Sequence, residues 1–193
     1  MREAPTPRER VLAAAFGEFA AHGLAGARIS RIAEAAKTSK ERVYAYFASK
    51  EDLYAAVAAE QIHAVLDSVT LDVRNVPGYV GALFDYYVTH PDHLRLQAWA
   101  RLEGDGGPSP RTRALIAQVN TIADAQAAGL IPDDIPALDI LMMLRQLAGA
   151  WPSATELHSQ ADSADPAVIA ERRAAVFTMA TRLFPPTTGA TRG

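Results

Sequence analysis

Residues 29–53 read ISRIAEAAKTSKERVYAYFASKEDL, and this stretch decides the fold. Ile32, Ala33, Ala36 and Val43 are apolar or small, at helical spacing on either side of Thr38-Ser39. The pattern predicts a short helix over Ser30–Ala36 and another over Lys40–Tyr46. Ser39 is placed to cap the second, because a serine oxygen there accepts from an otherwise unpaired N–H of the first turn. Ser49 stands in the same relation to a longer helix over Lys50–Val69, with Glu51 and Asp52 in its first turn, where the helix dipole favours acids.

Upstream, Val11, Ala15 and Phe19 form one row at i, i+4, i+8, and Leu12, Phe16 and Ala20 form the next. They predict a helix over Pro7–His22 that stops at Gly23. Downstream of Asn75-Val76-Pro77-Gly78 the helices become longer and more apolar: Tyr79–Thr89, Pro91–Glu103, Arg111–Ala128, Pro136–Ala150, and a last one opened by Asp165-Pro166. Loops are expected over Gly104–Pro110 and Ser153–Ala164. Strand-length alternation is scarce, so the fold class is all-α. The expected division is a head over 1–48, a helical body over 49–186, and a disordered tail over 187–193.

Hydrophobic residues make up 49% of the 193 and charged ones 21%, a balance that supports a packed core and argues against wholesale disorder. The chain has no cysteine, which excludes disulfides and thiolate metal sites. No apolar run is long enough for a membrane span, and Met1–Arg10 has no signal-peptide character, so a cytoplasmic protein is expected. The net charge of −3 does not favour nucleic acid, but its distribution does. Between Arg28 and Lys50, Arg28, Arg31, Lys37, Lys40, Arg42 and Lys50 face only Glu34 and Glu41.

Two short helices joined by a tight turn form the arrangement in which the second helix enters the major groove of DNA. Lys40, Arg42, Tyr44 and Tyr46 fall outside the apolar crossing of the pair. Lysine and arginine pair with phosphates or guanine edges, and tyrosine hydroxyls donate to phosphates. The start of the helix at Lys50 offers further N–H groups.

Residues 29–57 resemble the DNA-binding signature of the tetracycline-repressor (TetR) family: Ile32-Ala33, Ala35-Ala36, Ser39, the run VYAYF over Val43–Phe47, Ser49-Lys50-Glu51, Leu53 and Ala56-Val57. The helix ahead of them fits as well. The resemblance implies phosphate contacts at Tyr44, Tyr46 and Lys50. It implies base contacts at Lys40, Arg42 and Ala45, with help from Arg28, Ser30 and Arg31, and Ser39 counts among the DNA-binding residues as well as being a cap. Phe47 is then a core residue locking the motif to the first helix. Three positions depart from the family pattern: Lys37 stands at a turn position that usually holds glycine, Arg28 at one that often holds a serine or threonine cap, and Glu41 puts an acid near the groove.

The resemblance further implies a homodimer on a palindromic operator, usually repressing and released by a small-molecule effector, with no cofactor. Phe84, Tyr87, Trp99, Met143 and Trp151 are candidate effector-pocket residues, though large aromatics and methionines are equally ordinary core. His93, Arg95, Gln97 and Gln146 are polar groups available to orient a ligand. Leu141, Ala148, Val168, Val176 and Phe177 on the last two helices are candidate dimer residues, against an intrachain bundle. His90, Asp92 and His93 fall within one turn, as a ligand site or as an ordinary helix start. Two alternatives stay open: a helical small-molecule enzyme, against which the lack of any nucleophile–base or metal grouping weighs, and a DNA-binding protein without an effector.

Overall fold

The computed structural model of the chain describes residues 4–103, 110–153 and 165–185. The expected loops at 104–110 and 153–164 fall mostly outside these residues, and the expected disordered tail falls entirely outside them. The described residues form nine helices and no strand, as the all-α reading requires. They are α1 Pro7–Gly26, α2 Ile29–Ala35, α3 Lys40–Tyr46, α4 Lys50–Ser68, α5 Val76–Thr89, α6 Pro91–Glu103, α7 Pro110–Ala127, α8 Ala137–Gly149 and α9 Pro166–Leu183. Contacts divide them into two compact units, the first within 1–64 and 92–112 and the second within 65–91 and 113–193. The division falls inside α4 rather than ahead of it, and α6 groups with the N-terminal helices.

In the first unit, α1 starts on a capping box: Thr6 Oγ1 accepts from Glu9 N, and Glu9 returns an acceptor to Thr6 N at 2.7 Å. The helix breaks at Gly23, as its sequence predicts, and resumes for one turn to Gly26. Gly23 lies at φ 67°, ψ 179°, a conformation open to glycine and strained for any other residue. Glu103 at the end of α6 accepts from the N–H groups of Leu24 at 2.8 Å and Ala25 at 3.0 Å, so it caps the turn that resumes beyond the break. Val11, Phe19, Ile32, Val43, Phe47, Leu53 and Val57 share one buried cluster that joins α1, α2, α3 and α4. Phe19 meets Tyr54 of α4 edge-on, with ring centroids 5.1 Å apart.

The α2–α3 turn closes by two hydrogen bonds: Thr38 N to Ala33 O at 2.9 Å and Lys37 N to Glu34 O at 3.0 Å. This is the 6→1 and 5→2 pair that ends a helix through a left-handed residue. That residue is Lys37, at φ 53°, where the family pattern has glycine. Ser39 caps α3 as expected, its Oγ accepting from Arg42 N. Ser49 does the same for α4, accepting from Asp52 N at 2.9 Å.

In the second unit, α5 packs against α8 and α9. Val80, Leu83, Phe84, Tyr87, Ile122, Leu141 and Leu144 are fully buried. α5 begins at Val76, three residues earlier than Asn75-Val76-Pro77-Gly78 suggests when read as a loop. Asn75 is the cap, accepting from Gly78 N at 3.0 Å, and Pro77 sits in the first turn, where its missing N–H costs nothing. Gly81 lets α9 approach closely, since a Cβ there lies 3.3 Å from the Arg173 guanidinium. Arg173 also holds Asp85 of α5, its Nε donating to both carboxylate oxygens at 2.8 Å.

Two substitutions test this local geometry. A Cβ on Gly23 falls 2.7 Å from Glu103 Oε1 and 2.8 Å from the Trp99 ring. Gly23→Ala is therefore expected to destabilise the protein by about 2 kcal/mol or more, seen as a lower melting temperature; an unchanged midpoint contradicts the kinked clamp. Lys37→Gly is expected to raise stability by up to about 1 kcal/mol, because it relieves a left-handed side chain, while Lys37→Ala gives no gain. A lower midpoint for Lys37→Gly contradicts the turn.

Candidate nucleic-acid interface

α3 is seven residues long and buries one of them, Val43. Its remaining side chains, Lys40, Glu41, Arg42, Tyr44, Ala45 and Tyr46, are all exposed. Tyr44 is 50% and Tyr46 38% exposed, high for side chains that lose so much by facing water. Phe47, one residue further, turns inward, with the Arg8 guanidinium 5.2 Å from its ring centroid. The core role expected for Phe47 holds. The helix thus presents a continuous face of two cations, two phenols and one acid. The acid, Glu41, is held below the usual carboxylate range by its own backbone N–H and the Ser39 hydroxyl, so it stays an acceptor on that face.

Arg28 and Ser30 are exposed at the start of α2. Arg28 occupies the cap position in extended backbone without a side-chain cap bond, in line with the departure noted from the family pattern. The orphan donor is met from another helix: Arg28 N donates to Glu18 Oε1 of α1 at 2.8 Å. The same carboxylate takes the Arg31 Nε at 2.8 Å, and Arg31 also donates to Gly26 O at 3.1 Å. Burial pushes the Glu18 carboxyl up, but the Arg31 and Arg28 hydrogen bonds outweigh it and hold it below its ordinary value. Arg31 is therefore committed to joining α1 and α2. Lys50 is similarly engaged, its Nζ donating to the carbonyls of Ala25 and Ala27 at 3.4 and 3.3 Å. Ser39 spends its hydroxyl on the α3 cap. Glu18 and Glu103, which anchor this surface from behind, were not among the sequence-level candidates. Acids on a solvated helix carry no local signal for a partner ten to eighty residues away.

The five candidate effector residues do not gather at one place. Phe84 and Tyr87 are buried on α5, and Trp151, beyond α8, meets the Phe84 ring at 6.1 Å. Met143 is 67% exposed. Trp99 belongs to the first unit and lies against Gly23. The helical period explains Met143: on α8 the buried row is Ile140, Leu141, Leu144 and Ala148, and position 143 lies off it. Missed at sequence level is a polar set inside the second unit, Tyr79, Gln118 and Arg145. Its one cue was an arginine in the otherwise apolar run ILMMLRQLAG. An open cleft of about 740 Å³ lies elsewhere in that unit, lined in part by Arg74, Pro77, Gln126, Ile131, Phe177 and Phe184.

Of the candidate dimer residues, Leu141, Ala148 and Val176 are buried within the chain, Val168 is half-buried, and Phe177 is exposed. The large apolar residues that α8 and α9 expose are Leu138, Met142, Met143, Phe177, Met179 and Leu183, of which Phe177 alone was a candidate dimer residue. The histidines near 90 are separately engaged. His90 stacks on Tyr86 at 4.4 Å, His93 is buried edge-on to Phe16 at 5.0 Å, and Asp92 pairs with Arg95 at 3.3 Å. Among the described residues no group of three histidines and acids is placed to hold a metal, and no helix is long and apolar enough to cross a membrane.

Comparison with known proteins agrees with this geometry. Residues 11–57 match the model for bacterial regulatory proteins of the tetR family, and residues 75–182 match a tetracyclin repressor-like C-terminal domain. The chain is 36% identical over 151 residues to the HTH-type transcriptional repressor SCO4008 of Streptomyces coelicolor, covering 76% of this chain and 79% of that one. It is 30% identical over 161 residues to the HTH-type transcriptional repressor NicS of Pseudomonas putida, covering 76% of each. The crystal structure of the transcriptional regulator SCO4942 from Streptomyces coelicolor superposes with a TM-score of 0.83 at 42% identity, over 94% of this chain and 99% of that one. The chain belongs to the TetR family and is a DNA-binding transcriptional regulator rather than an enzyme.

Proposed function

We propose that the protein represses transcription by binding a palindromic operator as a homodimer and leaves it when a small effector binds the second unit. One observation carries the DNA-binding part: α3 keeps a single internal side chain in the core and exposes Lys40, Arg42, Tyr44 and Tyr46 together. Nothing in folding requires that face, whereas a duplex supplies phosphates for the phenols and base edges for the cations. Lys40 and Arg42 carry base choice, with the exposed Ala45 offering a thymine methyl an apolar contact. Tyr44 and Tyr46 grip phosphate, and Arg28 and Ser30 contact the backbone beside them. Arg31, Ser39 and Lys50 position the reading helix, since their polar atoms already hold its neighbours. The repressor names of the two curated relatives support the direction of control.

The dimer reading rests on the exposed rows Leu138–Met142 of α8 and Met179–Leu183 of α9, each one turn apart on its helix. Soluble monomers rarely leave such rows in water, and a two-fold partner repeats them into a four-helix seam. The effector reading rests on Phe84, Tyr87 and Trp151, the three aromatic candidates that share the second unit. α4 runs without a break from one unit into the other, so a ligand that shifts its far end changes the reading head. A coupling of about 1–3 kcal/mol lowers operator affinity roughly 5- to 150-fold.

Selection of genomic fragments by the purified protein is expected to recover an inverted repeat with half-sites about 34 Å apart or a multiple of it. Tyr44→Phe with Tyr46→Phe is expected to weaken every sequence alike. Lys40→Ala or Arg42→Ala is expected to relax preference at one base pair by about 1–3 kcal/mol. Recovery of fragments without a shared repeat contradicts the proposal. Met142→Asp with Met179→Asp is expected to yield folded monomers by sedimentation and to abolish operator binding. Val176→Asp is expected to unfold the subunit instead, because that side chain is only 6% exposed within the chain. A Met142→Asp, Met179→Asp double variant that stays dimeric contradicts the seam.

A further inference from the structure

Among the described residues of the second unit, one polar cluster lies between α5, α7 and α8. Tyr79 and Tyr87 lie two turns apart on one face of α5 and are both buried. Gln118 of α7 is buried with them, and Arg145 of α8 is half-buried. Arg145 Nη2 donates to the Tyr87 phenol oxygen at 3.3 Å, just beyond the usual range of about 2.7–3.2 Å. The Tyr79 hydroxyl is sealed from solvent without a hydrogen-bond partner, although Arg145 and Gln118 are its polar neighbours. Burial pushes the Tyr79 phenol up, which keeps it protonated and able to donate. Among the described residues the ion pairs are Glu18–Arg31, Glu18–His22, Asp92–Arg95 and Asp85–Arg173, and none of them involves Arg145.

Among the described residues the cluster is thus rich in donors and holds no anion. A guanidinium carries five N–H groups, the Tyr79 phenol one O–H and the Gln118 amide two N–H groups, while the acceptors on hand are neutral. A charge withdrawn from water without a counter-charge destabilises the fold, and apolar replacement of such groups is often neutral or stabilising. The bond to the neutral Tyr87 phenol leaves the Arg145 charge unbalanced; an anion arriving from outside balances it. We propose that the effector is a carboxylic acid with an apolar body, its carboxylate received by Arg145 with Tyr79 and Gln118. A carboxylate suits one guanidinium, whose planar fork meets both oxygens and balances its single charge. A phosphate dianion leaves a charge uncompensated there. The proposal rests on the effector reading above and adds the ligand's chemical class.

The test uses the full-length protein with its selected operator and three probe acids, decanoate, phenylacetate and indole-3-acetate, each beside its primary amide. At least one acid is expected to raise the melting temperature with concentration and to release operator, because a ligand that binds the native state stabilises it. Its amide binds at least about tenfold more weakly, the scale of a hydrogen bond to a charged group. Arg145→Met loses that preference and keeps ligand-free operator affinity. Without ligand it melts no lower than wild type. Arg145→Lys retains part of the preference, and Tyr79→Phe weakens the acid several-fold. The proposal is overturned if no acid binds, if acids and amides bind alike, if Arg145→Met keeps the preference, or if Arg145→Met unfolds, which marks the arginine as structural. Operator release by neutral compounds alone overturns the anion and leaves the effector reading standing. Failure of the wild-type protein to bind any selected duplex strikes that reading instead.

Discussion

A helix of seven residues is not stable by itself in water; isolated helices shorter than about 12–15 residues are marginal even with favourable sequences. α3 exists because Val43 within it and Phe47 just after it are buried against Ile32, Phe19 and the α4 residues Leu53 and Val57. Every other property of the reading surface follows from that dependence. The helix has little to contribute to the core beyond Val43, so all its other side chains are free for an outside partner. Its orientation is set by its neighbours, so anything that moves α1 or α4 moves it.

Besides sharing that apolar cluster, those neighbours are tied by charge-assisted hydrogen bonds onto backbone groups. Glu18 takes the first N–H of the α2 turn together with Arg31, Glu103 takes two N–H groups beyond the Gly23 break, and Lys50 donates to the carbonyls at the end of the same segment. Each removes an orphan polar group at a helix end and ties a distant element to it. The residues that make DNA binding accurate are therefore partly different from those that touch DNA. Arg31 and Lys50 carry the expected charge, yet their polar atoms are already engaged within the head.

The reading motif was legible because its signals are local: the Ser39 cap, the apolar residues at the crossing and the aromatic run all fall within twenty residues. Even the strained turn at Lys37 follows from position alone, since a helix-ending turn of this type needs a left-handed residue wherever the chain reverses. The start of α5 was misplaced because Asn75 and Pro77 serve equally as loop breakers and as cap and first-turn residue. The pocket and seam residues were read less well. Leu141 and Met142 are neighbours of like hydropathy, and only the packing of α5 decides that the first is inside and the second outside. Trp99 could not be placed from composition, because the return of α6 to the N-terminal helices is a long-range fact held by Glu103 and Trp99 themselves. Arg145 was overlooked for a similar reason: a lone charge on an amphipathic helix reads as solvent-facing until its neighbours are known.

The central claim is that the face of α3, held by Val43 and the anchors behind it, is the surface that meets DNA. Amide hydrogen exchange of the full-length protein, with and without its selected duplex, tests it directly. A helix this short opens often, so its amides exchange readily until a partner covers it. The account predicts slowed exchange over residues 38–50 with the selected duplex and little change with an unrelated duplex at the same salt. Protection confined to other segments, with residues 38–50 exchanging as in the free protein, contradicts it.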